Sequence, residues 1–182
     1  MNIQAKYTIN RHLLANGDII LWRGNDVIDR AIQIADKAYF NHVGIVWKVG
    51  DRYLTVDATG GRGVNIDFLS TRVRQEVDFS VLRANCHQFK IDNALGNALS
   101  LGNDGYGYDY LFILQILIKN ITGIDFRNLS DKKAYICSKF VQYYTKLLYL
   151  NEYNMDKLIT PQDYVRKANK NIITIIDREY NV

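Results

Sequence analysis

Residues 41–58 read NHVGIVWKVGDRYLTVDA, and they decide the fold because they predict a β-hairpin. Apolar residues alternate along the first half, which is typical of a strand with one buried face. The Gly50-Asp51 pair supplies the turn chemistry that joins two antiparallel strands. His42 lies on the face opposite to these apolar residues, which are Val43, Ile45 and Trp47.

The second strand of this hairpin places Asp57 on the same face as His42. A loop at residues 49–50 puts Asp57 directly opposite His42, whereas a loop at residues 50–51 puts it opposite Gly44, one diagonal step away. In either register the carboxylate can orient the imidazole. We expect one apolar face that packs inward and one His/Asp face that is open. A structural histidine beside a chance carboxylate is the alternative interpretation.

Patterns on both sides of the hairpin predict an α+β fold. Alternation of apolar residues predicts further strands at 17–22, 63–69, 77–83 and 171–177. Helical spacing predicts helices at 26–39, 89–101, 108–120, 134–150 and 160–168. In the last helix, Thr160 is the expected N-cap and Pro161 the first helical residue. Strands mostly precede helices without βαβ alternation. No repeat or linker divides the chain, so we predict a single domain over residues 1–182.

Composition narrows the class of protein. The 182 residues are 48% apolar and 23% charged, as in a globular domain. The net charge of +4 is dispersed along the chain, so no nucleic-acid partner is expected. The apolar stretch at 110–118 is too short to span a bilayer. The first 14 residues lack a basic-then-apolar leader, and the two cysteines give no disulfide framework. A cytoplasmic location is therefore predicted, and the sequence calls for no cofactor or metal.

Cys137 is the best candidate for a nucleophile that His42 could serve. It lies where a short apolar stretch becomes a helical pattern. Backbone N–H groups at a helix N-terminus stabilise a thiolate, and they can stabilise the oxyanion of a tetrahedral intermediate. An ordinary buried cysteine on the apolar face of the helix is the alternative. Cys86 is a weaker candidate, because His87 beside it has no carboxylate to orient it.

The order of short motifs resembles a known family. A Gly-Asp strand at 17–22 leads to the His-Val-Gly-Ile strand, and a Cys-Ser helix at 137–138 follows it. Later come the motifs VLR at 81–83, GYGYDY at 105–110 and ITPQDY at 159–164. This order is similar to that of the circularly permuted NlpC/P60 proteins of the YiiX/YebB-like branch. The resemblance covers roughly residues 15–165.

This resemblance implies a papain-like fold, an antiparallel sheet or half-barrel flanked by helices. It also implies Cys137 as nucleophile, His42 as base and Asp57 as third residue. Asp57 stands where the branch often has glutamate, and Lys139 stands where its helix commonly has glutamate. The implied activity is a cysteine peptidase or amidase that cleaves amide or ester bonds of peptidoglycan peptides or of N-acyl or lipid substrates.

Several expectations stay open at this point. An acyltransferase could use the same thiol, and a non-catalytic binding module could retain the fold. Tyr106 and Tyr108 are candidates for contacts to the oxyanion or the substrate. A cell wall or membrane surface is a further candidate partner. A protein borne by a phage or delivered as an effector would need no leader of its own.

Overall fold

The computed structural model describes residues 2–60, 62–103, 107–108, 134–135, 137–148, 159–168 and 173–175. The helices are α1 (Ile3–Asn10), α2 (Val27–Asp36), α3 (Leu69–Gln75), α4 (Gln88–Asn103), α5 (Cys137–Leu147) and α6 (Pro161–Lys167), with a 3-10 turn at Arg11–Leu13. The strands are β1 (Ile19–Arg23), β2 (His42–Val49), β3 (Arg52–Thr59), β4 (Gly63–Phe68), β5 (Asp78–Ala84), β6 (Gly107–Tyr108), β7 (Ala134–Tyr135) and β8 (Ile173–Ile175).

The main sheet has six strands in the order β4-β3-β2-β1-β5-β8, and all neighbouring strands are antiparallel. This confirms the predicted α+β class, an antiparallel sheet flanked by helices. In the central hairpin Val49 pairs with Arg52, so the turn consists of Gly50 and Asp51. Gly50 has φ 57°, a left-handed conformation that glycine adopts without steric cost. Of the two registers considered, the structure adopts the one that puts Asp57 opposite Gly44.

Both faces of the sheet are covered. One face carries a core to which β1, β2, α4 and α5 contribute, including Ile19, Val43, Leu95 and Phe140. The other face carries a second core built from Trp22, Val46, Phe79, Leu69 and Val73. The last two residues belong to α3. The expected open His/Asp face is therefore wrong, because α3 packs over that side of the hairpin.

Most other elements follow the sequence patterns. Thr160 caps α6, accepting a hydrogen bond from the Asp163 N–H at 3.3 Å, and Pro161 is the first helical residue. Helices α1 and α3 were not among the predicted elements. Of the helix predicted at 108–120, residues 109–120 lie outside the described residues. Within the described part of the chain, no helix has the length and apolar character needed to cross a membrane.

The Gly-Asp motif anchors α5 and β5 to the start of β1. Tyr144 of α5 donates a hydrogen bond to the Gly17 carbonyl at 2.9 Å. A Cβ atom on Gly17 would come within 2.3 Å of that hydroxyl, and Gly17 has φ 79°, so only glycine fits. Asp18 accepts two hydrogen bonds from Arg83, each 2.7 Å long. The motifs at 17–18 and 81–83 therefore form one structural unit.

Candidate active site

The loop that leads into β2 is held by side chains from other parts of the chain. Gln162 of α6 accepts hydrogen bonds through Oε1 from the backbone N–H groups of Tyr39 at 2.8 Å and Phe40 at 3.2 Å. The Asn41 N–H donates to the Trp22 carbonyl at 3.1 Å. These bonds fix the backbone immediately before His42, so they also fix the position of His42 at the start of β2.

Asn41 also connects this loop to α2. Its side-chain oxygen accepts hydrogen bonds from the Gly24 N–H at 2.8 Å and from Gln33 Nε2 at 2.9 Å. Its side-chain nitrogen donates to Asp29 Oδ1. Asn41 is buried, so these bonds satisfy polar groups that water cannot reach. The residue next to His42 is thus part of a closed polar network.

His42 and Asp57 form a buried pair across the hairpin. His42 Nε2 lies 2.9 Å from Asp57 Oδ2, and Asp57 is only 1% exposed. The register makes this contact diagonal, so it passes over Gly44. A Cβ atom on Gly44 would lie 2.7 Å from Thr55 Oγ1 and 3.0 Å from Asp57 Cβ. The lack of a side chain at position 44 therefore leaves the space that the pair occupies.

A second buried ion pair stands behind Asp57. Arg72 of α3 has its Nε 3.9 Å from Asp57 Oδ2 and 3.2 Å from Glu76 Oε1. Burial raises the pKa of Glu76, while the positive charges of Arg72 and His42 lower it in part. Asp57 Oδ1 is buried and has no hydrogen-bond partner among the described residues. The carboxylate is thus held electrostatically and is not saturated with hydrogen bonds.

Cys137 is the first residue of α5, as the helical pattern predicted. It is 7% exposed and belongs to the apolar core on its face of the sheet. The inward side of the helix also carries Phe140, Val141 and Tyr144, all fully buried, which fix the helix against the sheet. In an α-helix the N–H groups of the first turn have no partner within the helix, and Cys137 lies in that turn.

His42 connects the cysteine with the carboxylate. Its Nε2 is hydrogen-bonded to Asp57, and the Cys137 side chain is close enough to act on the ring. Burial lowers the pKa of His42, but the negative charges of Cys137 and Asp57 and the hydrogen bonds to both raise it more. The pKa rises from 6.5 to about 10. The imidazole therefore keeps its proton at neutral pH.

The structure describes other contacts for Cys86 and for its neighbour His87. Cys86 follows β5, and its Sγ is 3.9 Å from the Leu148 carbonyl oxygen. The His87 ring accepts a hydrogen bond from the Phe89 N–H at 3.3 Å. Tyr106 lies outside the described residues. Tyr108 is in β6, whose backbone alone is described, so its predicted contact with substrate stays a prediction.

Three supporting residues, Asn41, Arg72 and Gln162, were not singled out from the sequence. The signal for Arg72 was available, because Leu69 and Val73 have the spacing of one buried helix face and place a helix around it. The role of Gln162 could not be found this way, since its partners lie more than 120 residues away in the chain.

The donor atoms at the candidate site do not match a metal centre. Nε2 of His42 is engaged with Asp57, so a metal ion could bind that nitrogen only by displacing the carboxylate. Throughout the described ranges, no three side chains of His, Cys, Asp or Glu are arranged to hold a metal ion. The residues present therefore fit proton transfer better than metal coordination.

Comparison with known proteins gives a structural relative. Neither a protein-family model nor a curated protein matches this chain. Among solved structures, the chain is similar to the crystal structure of the metalloprotein YiiX from Escherichia coli O157:H7, described as DUF1105. The TM-score is 0.51 at 16% sequence identity, over 91% of this chain and 97% of that chain. At this identity the likeness concerns the fold, and the chain shares the α+β fold of YiiX.

Proposed function

We propose that this protein is a cysteine hydrolase that cleaves an amide or ester bond through a thioester on Cys137. The observation that carries the proposal is the position of His42, which bridges the thiol at the start of α5 and the buried carboxylate of Asp57. A nucleophile, a base and an orienting group within hydrogen-bond reach are the arrangement that covalent catalysis needs. The resemblance to permuted NlpC/P60 proteins points to the same three residues.

Because the pKa of His42 is about 10, its ring holds a proton at neutral pH, and the imidazolium stabilises negative charge on the Cys137 sulfur. In the reaction the sulfur attacks the carbonyl carbon of the substrate as a thiolate, and the carbonyl oxygen becomes an oxyanion. N–H groups of the first turn of α5 donate hydrogen bonds to that oxyanion.

The proton on His42 then completes each half of the reaction. When the tetrahedral intermediate collapses, the imidazolium donates its proton to the leaving amine or alkoxide, and the acyl group stays on Cys137 as a thioester. Neutral His42 next takes a proton from water as the water attacks the thioester. Expulsion of the thiolate releases the acid and restores the ion pair.

Asp57 keeps the ring in the orientation that both proton transfers require. Its Oδ2 binds Nε2, which restricts rotation of the ring. Arg72 and Glu76 extend this chain of charges behind the carboxylate. The proposed substrates are peptide stems of peptidoglycan or N-acyl and ester bonds of lipids, and the support for these classes is the family resemblance.

The test is labelling by a thiol-directed electrophile across pH, in a Cys86→Ala background so that Cys137 is the only thiol. Cys137 should react rapidly at pH 7 and at a nearly constant rate to pH 9. In the added His42→Ala variant, labelling at pH 7 should slow about a hundredfold and rise with pH as for an ordinary thiol. Equal, slow labelling in both proteins would contradict the proposal.

Substrate assignment uses muropeptides, N-acyl amides and esters with the wild type and Cys137→Ala. Release of product should be lost in Cys137→Ala, and trapping at low pH should give a protein heavier by the acyl group. Release that survives the substitution would place the reaction at another site. Melting curves of all variants should coincide closely enough to exclude unfolding as the cause.

A further inference from the structure

Helix α2 turns apolar side chains towards solvent. Val27 is 85% exposed and Ile34 is 79% exposed, the highest values for large apolar side chains in the described part of the chain. They are two helical turns apart, so they point to the same side, and half-buried Ala31 lies between them. Among the described residues, none covers Val27 and Ile34.

The opposite, polar side of α2 faces the protein. Gln33 Nε2 donates hydrogen bonds to the Gly24 carbonyl and to Asn41 Oδ1, both at 2.9 Å. Asp29 accepts a hydrogen bond from Asn41. An ordinary surface helix packs its apolar side inward and leaves polar groups in water, so α2 has the reverse orientation. Its hydrogen bonds and its N-terminal capping box, formed by Asp26 and Asp29, hold it in that orientation.

Two cationic side chains of α2 and its C-cap, together with the exposed N-cap carboxylate of Asp26, border the apolar side, and an aromatic residue follows the helix. Arg30 and Lys37 are exposed. The Arg30 guanidinium donates two hydrogen bonds to Asn25 Oδ1, at 2.8 and 3.1 Å, which keeps the charge near the start of the helix. Tyr39 is 44% exposed, and the Arg23 guanidinium lies 4.3 Å from its ring centroid. Apolar residues flanked by Arg, Lys and Tyr are typical of helices that lie in a membrane interface.

We propose that α2 is a docking surface for an anionic lipid bilayer. Val27 and Ile34 enter the boundary between headgroups and acyl chains, while Arg30 and Lys37 meet the lipid phosphates. A protein partner is the weaker alternative, because a stable interface buries about 800 Å² on each side, and this patch has only two large side chains. A bilayer imposes no such minimum, since a few apolar residues and cations give weak, reversible binding.

The polar side of α2 is hydrogen-bonded to Asn41, the residue that precedes His42, so a bilayer on the apolar side would be separated from Asn41 by the helix. The surface is independent of the proposed hydrolase activity, and it can be tested in the Cys137→Ala protein.

The experiment is cosedimentation of the full chain carrying Cys137→Ala with vesicles of phosphatidylcholine, alone or with one third phosphatidylserine. Binding to the mixed vesicles should be at least tenfold weaker in a Val27→Asp/Ile34→Asp double variant. The matched control is Phe89→Asp, because Phe89 is 68% exposed on a different helix, and it should bind as the parent does. Arg30→Gln/Lys37→Gln should weaken binding to the mixed vesicles only.

Two results would overturn the proposal. One is equal binding, or no binding, by the parent and the Val27→Asp/Ile34→Asp variant. The other is a concentration-dependent dimer in sedimentation analysis that the double variant abolishes, which would assign the surface to a second copy of the chain. The substituted side chains are exposed, so circular dichroism should show an unchanged fold in each variant.

Discussion

Two buried aspartates in this sheet have cationic partners, and they differ in how fully their oxygens are satisfied. Asp18 binds the Arg83 guanidinium through both oxygens at 2.7 Å and also accepts the Ala15 N–H at 2.7 Å. Asp57 binds His42 through one oxygen, while the other has no partner in the described structure. Each aspartate is 1% exposed. The two aspartates are therefore equally buried, but they differ in their hydrogen bonding.

The difference is the one expected between a structural pair and the proposed catalytic pair. A carboxylate whose two oxygens are both hydrogen-bonded is held in one arrangement, and it contributes to the stability of the fold. A carboxylate that binds one ring nitrogen and leaves an oxygen unpaired gives up some stability, and it controls how that ring holds a proton. The following substitutions test whether stability and reactivity separate in this way.

Asp18→Asn should have the largest effect, and that effect should fall on stability. It leaves the Arg83 guanidinium partly buried without its counter-charge, so the free energy of unfolding should fall by about 3 kcal/mol. Urea denaturation measures this loss. The rate at which Cys137 is labelled should stay near that of the wild type under conditions where the variant is folded, and a large fall in that rate would erase the distinction.

Asp57→Asn should show the reverse. The amide keeps the size of the carboxylate but removes the charge that holds the His42 proton, so labelling of Cys137 at pH 7 should slow about a hundredfold. The free energy of unfolding should also fall, because the buried ring loses its counter-charge, but by less than for Asp18→Asn, because an imidazole can release its proton and a guanidinium cannot. A variant that unfolds like Asp18→Asn while labelling normally would show that Asp57 is a structural residue.

Gly44→Ala tests the space between His42 and Asp57. The new methyl group would meet Thr55 Oγ1 at 2.7 Å and Asp57 Cβ at 3.0 Å, so it should cost about 1–3 kcal/mol and slow the labelling. Gly50→Ala is the matched control, since no atom lies within 4 Å and only its φ of 57° opposes a side chain. That control should cost about 1 kcal/mol and leave the labelling rate unchanged. Equal labelling in both variants would count against the diagonal contact.

The dependence of stability on pH tests the proton on His42. The pKa of His42 in the folded protein, about 10, is above its ordinary value of 6.5, so its contribution is complete below pH 6.5 and disappears as pH rises through 10. Between these values the wild type should lose stability by at most about 1.4 kcal/mol per pH unit. The His42→Ala protein should have a flatter profile in urea denaturation between pH 7 and 10. Parallel profiles would mean that the ring does not hold its proton in this window.

The hairpin and the helix start could be predicted from sequence because both depend on local periodicity. Alternation put His42 and Asp57 on one face, and the two turn choices gave two registers, of which Gly50-Asp51 is the one adopted. The change from strand to helix spacing located Cys137 at the first residue of α5. These features need only residues that are close together in the chain.

What covers the hairpin could not be derived in the same way. Helix α3 is short, with two apolar residues on its buried side, Leu69 and Val73, so its periodic signal is weak. The pairing of Asp18 with Arg83 joins residues 65 positions apart, and no spacing rule predicts it. The apolar side of α2 faces solvent because its polar side finds hydrogen-bond partners in the protein. Only the tertiary fold determines which partners are available.

The location of His42 and Asp57 on a single hairpin has a consequence for biosynthesis. Fifteen residues separate these partners, whereas the thiol comes from a helix far downstream. Contacts at short sequence separation close early in folding, and a ribosome delivers the hairpin well before it delivers Cys137. The His42–Asp57 pair is therefore assembled before Cys137 joins it. Under the proposed mechanism, a nascent chain carries no activated thiol until α5 docks.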